Sequence, residues 1–294
     1  MRVGAFELTE PLPELKEPHV IAMLRPWIDV GSVGTIALSK LERFLGAKEL
    51  GRLARPGNFF DFTRYRPIIR SVEGKRTLTI PNTIINYAIR DKAPDFVFLH
   101  VLEPQSFGED YTDSILAVID QLSIKHYLRI GGMYDAVPHT RPLLVTGSAH
   151  GTSSEKFSSV IKLRGSNYQG PTSIVNLVAE GIEKRSIDSA SIMVHLPQYV
   201  QLEEDYAGAA RILEVICAVH NLPKELADSE RGRRQYKEIN NEVARNQELK
   251  ALVDRLEVHY DSQNAPTAAQ EEDATKLSPE VEKFLKEMGE RFDT

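Results

Sequence analysis

The residues best suited to chemistry lie in residues 131–148, which have the sequence GGMYDAVPHTRPLLVTGS. His139 can transfer a proton near neutral pH, and Arg141 can bind a carboxylate or phosphate through two parallel hydrogen bonds. Pro138 and Pro142 fix the backbone φ on either side of these two residues. The pattern therefore predicts a stiff loop at a strand end, suited either to a ligand or to a subunit interface.

The candidate catalytic residues are His139, Arg141 and Asp29. Catalysis would also need a nucleophile or a metal ion. The sequence shows no serine elbow, no histidine pair at metal-ligand spacing and no carboxylate cluster, so no metal site is predicted. Asp135 and His150 are further polar residues that the fold could bring to the same place. A structural role, in which Arg141 ties loops together and His139 bonds to the backbone, fits the same pattern.

A second candidate site is the turn formed by residues 29–35, with the sequence DVGSVGT. The free N–H groups and the dipole of a helix N-terminus attract anions, so the turn predicts a phosphate or nucleotide anion as ligand. It lacks the lysine of a phosphate-binding loop, and its glycines can equally serve the geometry while Ser32 or Thr35 caps the helix. The predicted ligand-binding residues are Gly31, Ser32, Gly34, Thr35, Gly131, Gly132, Tyr168 and Gly170.

Four other reactive residues are predicted to be structural. His100 and Glu103 point to opposite faces of one strand, which makes a shared metal unfavourable. His195 lies in the apolar run IMVHLP, which is typical of a core histidine with its hydrogen bonds satisfied. The single cysteine, Cys217, lies in an apolar helical run and is predicted to be buried and inert.

The elements that must position these residues alternate between strand and helix, which predicts one α/β domain. Strands are predicted at His19–Leu24, Phe60–Tyr65, Ile68–Val72, Thr77–Ile80, Phe96–Leu102, Tyr127–Ile130, Leu143–Thr146 and Ser189–Leu196. Helices are predicted at Thr35–Leu45, Asp110–Leu122 and Tyr206–Val219, with another helix opened by the sequence Gly170–Ser173. A turn at residues 73–75 makes a hairpin of the third and fourth strands.

The C-terminal part of the chain has a different character. Residues 1–222 form the predicted α/β domain, and residues 223–262 form a charge-dense helical extension. Residues 263–277 are predicted to be a linker. Residues 278–294 are predicted to form a short amphipathic helix, whose apolar positions are Val281, Phe284, Leu285 and Met288. That helix either docks on the protein or frays.

Composition limits the partners. The 294-residue chain is 41% hydrophobic, with a formal net charge of −6 at pH 7. It has no concentrated basic patch, so nucleic acid is not expected as a partner. No apolar run approaches the length of a membrane span, and the N-terminus does not resemble a signal peptide. These features predict a cytoplasmic protein with no membrane partner.

Six blocks in order resemble the PAC2 family, which is named after the eukaryotic proteasome assembly chaperone 2. The blocks are WIDVGSVGTIAL, FFDFTRYRP, FLHVLEPQ, GGMYDAVPHTRP, NYQGPTSIVNLV and HLPQYV. The stretch NQELKALVDRLEVHYDSQ is also similar to the helical extension of bacterial members. The resemblance implies a mixed, partly barrel-like sheet flanked by helices, as in nucleoside phosphorylases and peptidyl-tRNA hydrolases, with the α-helical extension added.

The resemblance also implies a function. Eukaryotic members are chaperones for proteasome α-subunits, so we expect an assembly chaperone or protein-binding scaffold that acts as a homo-oligomer. The alternative is a small-molecule enzyme or binder of hydrolase, phosphorylase or ligase type that uses the glycine turn and the PHTRP loop. A third possibility is a structural scaffold without catalysis.

Two features depart from the family pattern. Gln198 replaces a histidine that the family often has. The chain also ends without the hydrophobic-Tyr-any motif by which some archaeal relatives dock on the proteasome, so docking of that kind is not expected.

Overall fold

The computed structural model describes residues 1–72, 74–163 and 169–264. The strands are β1 (Arg2–Val3), β2 (Phe6–Leu8), β3 (His19–Arg25), β4 (Lys48–Leu53), β5 (Ile68–Val72), β6 (Lys75–Thr79), β7 (Ile84–Ala88), β8 (Phe96–Leu102), β9 (His126–Asp135), β10 (Val145–His150), β11 (Lys162–Leu163) and β12 (Asp188–Pro197). The α-helices are α1 (Val33–Leu45), α2 (Gly108–Gln121), α3 (Ser154–Ser158), α4 (Ile174–Lys184), α5 (Tyr206–His220), α6 (Glu230–Arg245) and α7 (Gln247–Asn264).

Ten of the strands form one mixed sheet, in the order β1-β2-β4-β7-β8-β3-β9-β12-β10-β11. Its centre is parallel, because β3 pairs with β8 and β9, and β9 pairs with β12. The flanking pairs are antiparallel from β1 to β8 and between β10 and β12. The carboxyl ends of β3, β8, β9 and β12 therefore share one edge, where ligands of α/β proteins commonly bind.

Both faces of the sheet are covered by helices, as the apolar strands predict. On β3, Ile21 and Met23 join a core formed with α1 and α5, while the alternate residues Val20, Ala22 and Leu24 join a core formed with α2 and α4. The predicted α/β fold with a mixed sheet and flanking helices is confirmed. Within the described residues, no helix is both long and apolar enough to cross a bilayer.

One predicted strand is wrong. Residues 60–65 form a turn. The carboxylate of Asp61 accepts hydrogen bonds from the backbone N–H of Thr63 at 2.8 Å and from its hydroxyl at 2.7 Å. Such a local bond competes with strand pairing. Phe60, the first residue of the predicted strand, and its neighbour Phe59 instead pack against the ring of Tyr111.

The predicted hairpin is confirmed as β5 and β6, which form a separate two-stranded sheet outside the ten-stranded one. We call residues 68–79 the arm. Every residue of β6 is exposed. Ile68, Ile69 and Leu78 are 49%, 54% and 60% exposed, although they are large apolar side chains.

The helical extension is also confirmed, as α6 and α7. Helix α6 approaches α5 so closely that a Cβ at Gly232 would lie 2.4 Å from the backbone nitrogen of Ala207. Only glycine fits this crossing. Beyond Asn264, the remaining linker residues and the predicted helix at 278–294 lie outside the described residues, and the domain boundaries stay predictions.

Candidate functional site

The PHTRP loop follows a strand that is longer than predicted. Gly131 and Gly132 lie inside β9 and not in the loop after it. A Cβ at Gly131 would lie 2.7 Å from the carbonyl oxygen of Ile28, and a Cβ at Gly132 would lie 2.6 Å from Cγ2 of Val33. The glycine pair therefore allows the segment after β3 to lie directly against β9. Strand β10 is also longer than predicted, because it extends to His150 through residues that were expected to form a polar loop.

The two predicted sites, the glycine turn and the loop after β9, are in contact only at the residues that begin them. The backbone N–H of Gly132 donates to the carbonyl of Ile28 at 2.8 Å, and Asp29 forms a parallel bridge with Gly132. His139 and Arg141 lie farther along the loop and have different neighbours. The sheet thus brings Asp29, Gly131 and Gly132 together but leaves the PHTRP side chains apart from them.

Asp29 caps helix α1. One carboxylate oxygen accepts hydrogen bonds from the N–H groups of Gly34 at 2.7 Å and Thr35 at 3.1 Å, and the other accepts from the Thr35 hydroxyl at 2.5 Å. Burial raises the pKa of Asp29, while these hydrogen bonds oppose the rise. The helix N-terminus therefore already holds an anionic group of the protein itself.

The other turn residues have structural contacts. Ser32 does not cap α1 with its side chain, because its hydroxyl donates to the Glu203 carbonyl at 2.9 Å. Gly31 has a φ of +57°, and a Cβ there would lie 2.8 Å from Cβ of Asp205. The glycine is needed for this contact between the turn and the start of α5.

His139 is buried and bonds to Tyr199. Its backbone N–H donates to the Tyr199 hydroxyl at 2.8 Å, and its Nδ1 lies 2.6 Å from the same oxygen. Burial lowers the pKa of His139 and raises the pKa of Tyr199 to about 12. The neutral imidazole is thus favoured, which suits a fixed structural position.

Arg141 binds the last helix. Its Nε donates to Oδ1 of Asp261 at 2.9 Å and its terminal nitrogen to Oδ2 at 2.7 Å, a bidentate pair. Glu257 lies 3.2 Å from the same guanidinium and also accepts a hydrogen bond from the Thr140 hydroxyl. These acids raise the pKa of Arg141 above its ordinary value. The Tyr260 hydroxyl donates to the Pro142 carbonyl at 2.7 Å. The loop is therefore clamped to α7.

The PHTRP loop also borders a cavity of about 740 Å³ that it forms with α5 and α6. We call it the α5–α6 cavity. Asp29 does not line it. Its basic lining residues are Arg141, Arg211, Arg233 and Lys237. Arg211 is partly neutralised by Glu214 at 2.7 Å. A cavity of this size is typical of ligand or peptide sites.

The remaining sequence candidates are scattered. Tyr168 lies outside the described residues, and Gly170 is an exposed residue before α4. His100 pairs with Glu42 at 2.7 Å, whereas Glu103 accepts a hydrogen bond from the Ile174 N–H at 3.0 Å. Burial raises the pKa of Cys217 to about 11. Among the described residues, no group of three or more His, Cys, Asp and Glu side chains is arranged to hold a metal ion.

A hydrogen-bonded chain of three residues was not predicted. The Thr146 hydroxyl lies 2.7 Å from Nε2 of His195, and Nδ1 of His195 lies 2.6 Å from the Asp135 carboxylate. This order matches the hydroxyl, base and carboxylate of many acyl-transfer enzymes. It also satisfies three partly buried polar groups. The sequence does not reveal this chain, because it depends on the register that places His195 beside Met133 on neighbouring parallel strands. That register is known only once the order of the strands in the sheet is known.

Residues 23–246 match the sequence profile of the PAC2 family. The chain belongs to the PAC2 family. This confirms the resemblance carried by the six sequence blocks. None of the curated proteins matches the sequence significantly.

Several solved structures share this fold. A Corynebacterium glutamicum protein of unknown function has a TM-score of 0.78 at 20% identity, over 90% of this chain and 99% of its own. A PAC2 family protein of Streptomyces avermitilis has a TM-score of 0.70 at 22% identity, over 80% and 99%. A Mycobacterium tuberculosis proteasome-assembly chaperone homologue has a TM-score of 0.70 at 25% identity, over 80% and 99%.

Proposed function

We propose that this PAC2 protein is a cytoplasmic assembly factor that binds other protein subunits and works as a homo-oligomer. The observation that carries the proposal is an exposed apolar surface at the carboxyl edge of the central strands. Trp27 follows β3 and Phe107 follows β8, and each is 63% exposed. Met133, near the end of β9, is 41% exposed. We call these three residues the edge patch.

The edge patch has the properties of a protein-binding surface. Strands β8, β3 and β9 are neighbours, so the three side chains lie at one edge of the sheet. Large exposed apolar groups cost free energy in water unless a partner covers them, and Trp is a frequent centre of interfaces. The arm begins at the same edge, because the Tyr65 hydroxyl donates to the Glu103 carbonyl at 3.2 Å.

The family relationship supports the same class of partner. The Mycobacterium tuberculosis relative is a proteasome-assembly chaperone homologue. The client to test first is therefore the proteasome α-subunit of the organism from which this chain comes. The edge patch offers an apolar contact surface for such a subunit.

The experiment compares binding of purified α-subunits to the wild-type chain and to the double variant Trp27→Ala/Phe107→Asn, by isothermal titration calorimetry. Asn tolerates the positive φ of 53° at position 107, so the variant removes the ring without straining the backbone. We expect affinity to fall at least ~10-fold, because two well-exposed anchor rings are lost.

The matched control is Phe44→Ala/Leu177→Ala, which removes two apolar side chains that are 51% and 45% exposed and lie outside the edge patch. Its affinity should equal that of the wild type. Absence of wild-type binding would exclude α-subunits as clients, and equal losses in both variants would reject the edge patch. The small-molecule alternative stays a prediction, and the chain Thr146–His195–Asp135 is the described arrangement that favours it.

A further inference from the structure

The α5–α6 cavity contains more basic charge than its own residues neutralise. Arg233 and Lys237 are one helical turn apart on α6, both are exposed, and both line the cavity. Neither forms an ion pair with any residue in the described ranges. Leu143, Ala207 and Ala210 provide apolar lining. The cavity thus suits a segment that has both acidic and apolar side chains.

We propose that the occupant is the C-terminal segment of this same chain, residues 265–294. The segment contains eight acidic and four basic residues, including the acidic run EED at 271–273. Its acidic run would bind Arg233 and Lys237, and the apolar positions Val281, Phe284, Leu285 and Met288 would cover the apolar lining. This inference is independent of the assembly function.

The position of α7 places the start of this segment at the cavity. Asp261 binds Arg141 and Tyr260 binds Pro142, and both loop residues line the cavity. Helix α7 ends three residues after Asp261, at Asn264. The thirteen residues that separate it from Ser278 can span up to roughly 45 Å when extended. Docking therefore needs little loop closure, and the short tether raises the effective concentration of the segment.

The test is hydrogen exchange of the full-length protein, read by mass spectrometry on peptides that cover residues 278–288. We expect these amides to be protected in the wild type, because a docked helix shields them. In Arg233→Glu/Lys237→Glu the protection should fall at least ~10-fold, since the acidic segment would face like charges.

The matched control is Arg234→Glu/Lys250→Glu, which makes the same charge change at exposed positions that do not line the cavity. It should retain the wild-type protection. Phe284→Ser should lose the protection while leaving all of the described residues unchanged, so the result does not depend on the folding of the α6 variant. Unprotected amides in the wild type, or equal losses in the two charge variants, would overturn the proposal.

Other occupants of the cavity give different results. If the segment docks on its own chain, protection stays constant over a ~100-fold range of protein concentration, as mass action requires for an intramolecular event. Protection that rises with concentration would identify a second copy as the partner and would overturn the proposal. Protection that appears only after α-subunits are added would assign the segment to the client instead, with the same consequence.

Discussion

At the scale of single residues, Asp29 decides what the glycine turn can bind. Its carboxylate accepts the N–H groups of Gly34 and Thr35, which are the groups that an external anion would need. A phosphate at Gly31–Gly34 stays a proposal, and it must compete with this internal carboxylate. The competition favours Asp29, because an attached group loses less entropy on binding than a free ion.

Replacement of Asp29 by Ala removes this cap and leaves the N–H groups free. We expect the free energy of unfolding to fall by about 1–2 kcal/mol, the usual cost of losing an N-terminal cap. Phosphate should restore part of the loss in the variant. Urea unfolding in phosphate and in chloride of equal ionic strength measures both effects, with Asp61→Ala as the control. Equal stabilisation of the wild type by phosphate would contradict the competition.

At the scale of elements, three histidines join β3, β9 and α5. The ring of His19 lies 5.0 Å from that of His126 and 5.5 Å from that of His220. Burial lowers the pKa of His19 to about 4, with further contributions from Lys156 and Arg90, and lowers the pKa of His126 to about 4, with further contributions from His19 and Lys156. The charge of Asp188 opposes both shifts. It lowers the pKa of His220 well below 6.5. The contact therefore requires neutral rings.

These shifts predict acid sensitivity. Well above pH 6.5 the rings are neutral in both states, and as the pH falls through 6.5 towards about 4 the unfolded chain takes up protons that the folded chain does not. The free energy of unfolding should thus fall by at least about 2 kcal/mol over this range. His126→Phe, beside Phe157, should reduce that loss, whereas the exposed control His150→Phe should not. Unfolding midpoints in urea from pH 8 to 4.5 measure it, and parallel pH profiles for both variants would contradict it.

The elements also show what the sequence could predict. Strands β3 and β8 were predictable, since both are almost continuously apolar and buried on both faces. Strand β4 was missed because Lys48–Leu53 is polar in half its positions and interrupted by a register shift between Glu49 and Gly51. The clamp on Arg141 had no local signal, because Asp261 lies 120 residues away in sequence. Such long-range polar pairs depend on how α7 packs, and the hydrophobic periodicity of the sequence does not predict that packing.

At the scale of the whole molecule, the arm is a feature that a single chain leaves exposed. A two-stranded hairpin is marginal in water unless another surface covers it. The arm contains three cations, Arg70, Lys75 and Arg76, and one acid, Glu73, so it is net positive, while the chain as a whole has a net charge of −6. The net negative charge of a second copy therefore attracts each arm.

We expect the arm to hold copies of this chain together. Ile69→Glu/Leu78→Glu places two charges where apolar side chains are 54% and 60% exposed, and it should shift the protein to monomer with at least a ~10-fold weaker self-association. Sedimentation velocity over a concentration series measures the shift. The control Leu177→Glu/Val258→Glu changes side chains that are 45% and 72% exposed on α4 and α7, and it should keep the wild-type assembly. A wild-type monomer at all concentrations would reject both the homo-oligomer and this role of the arm.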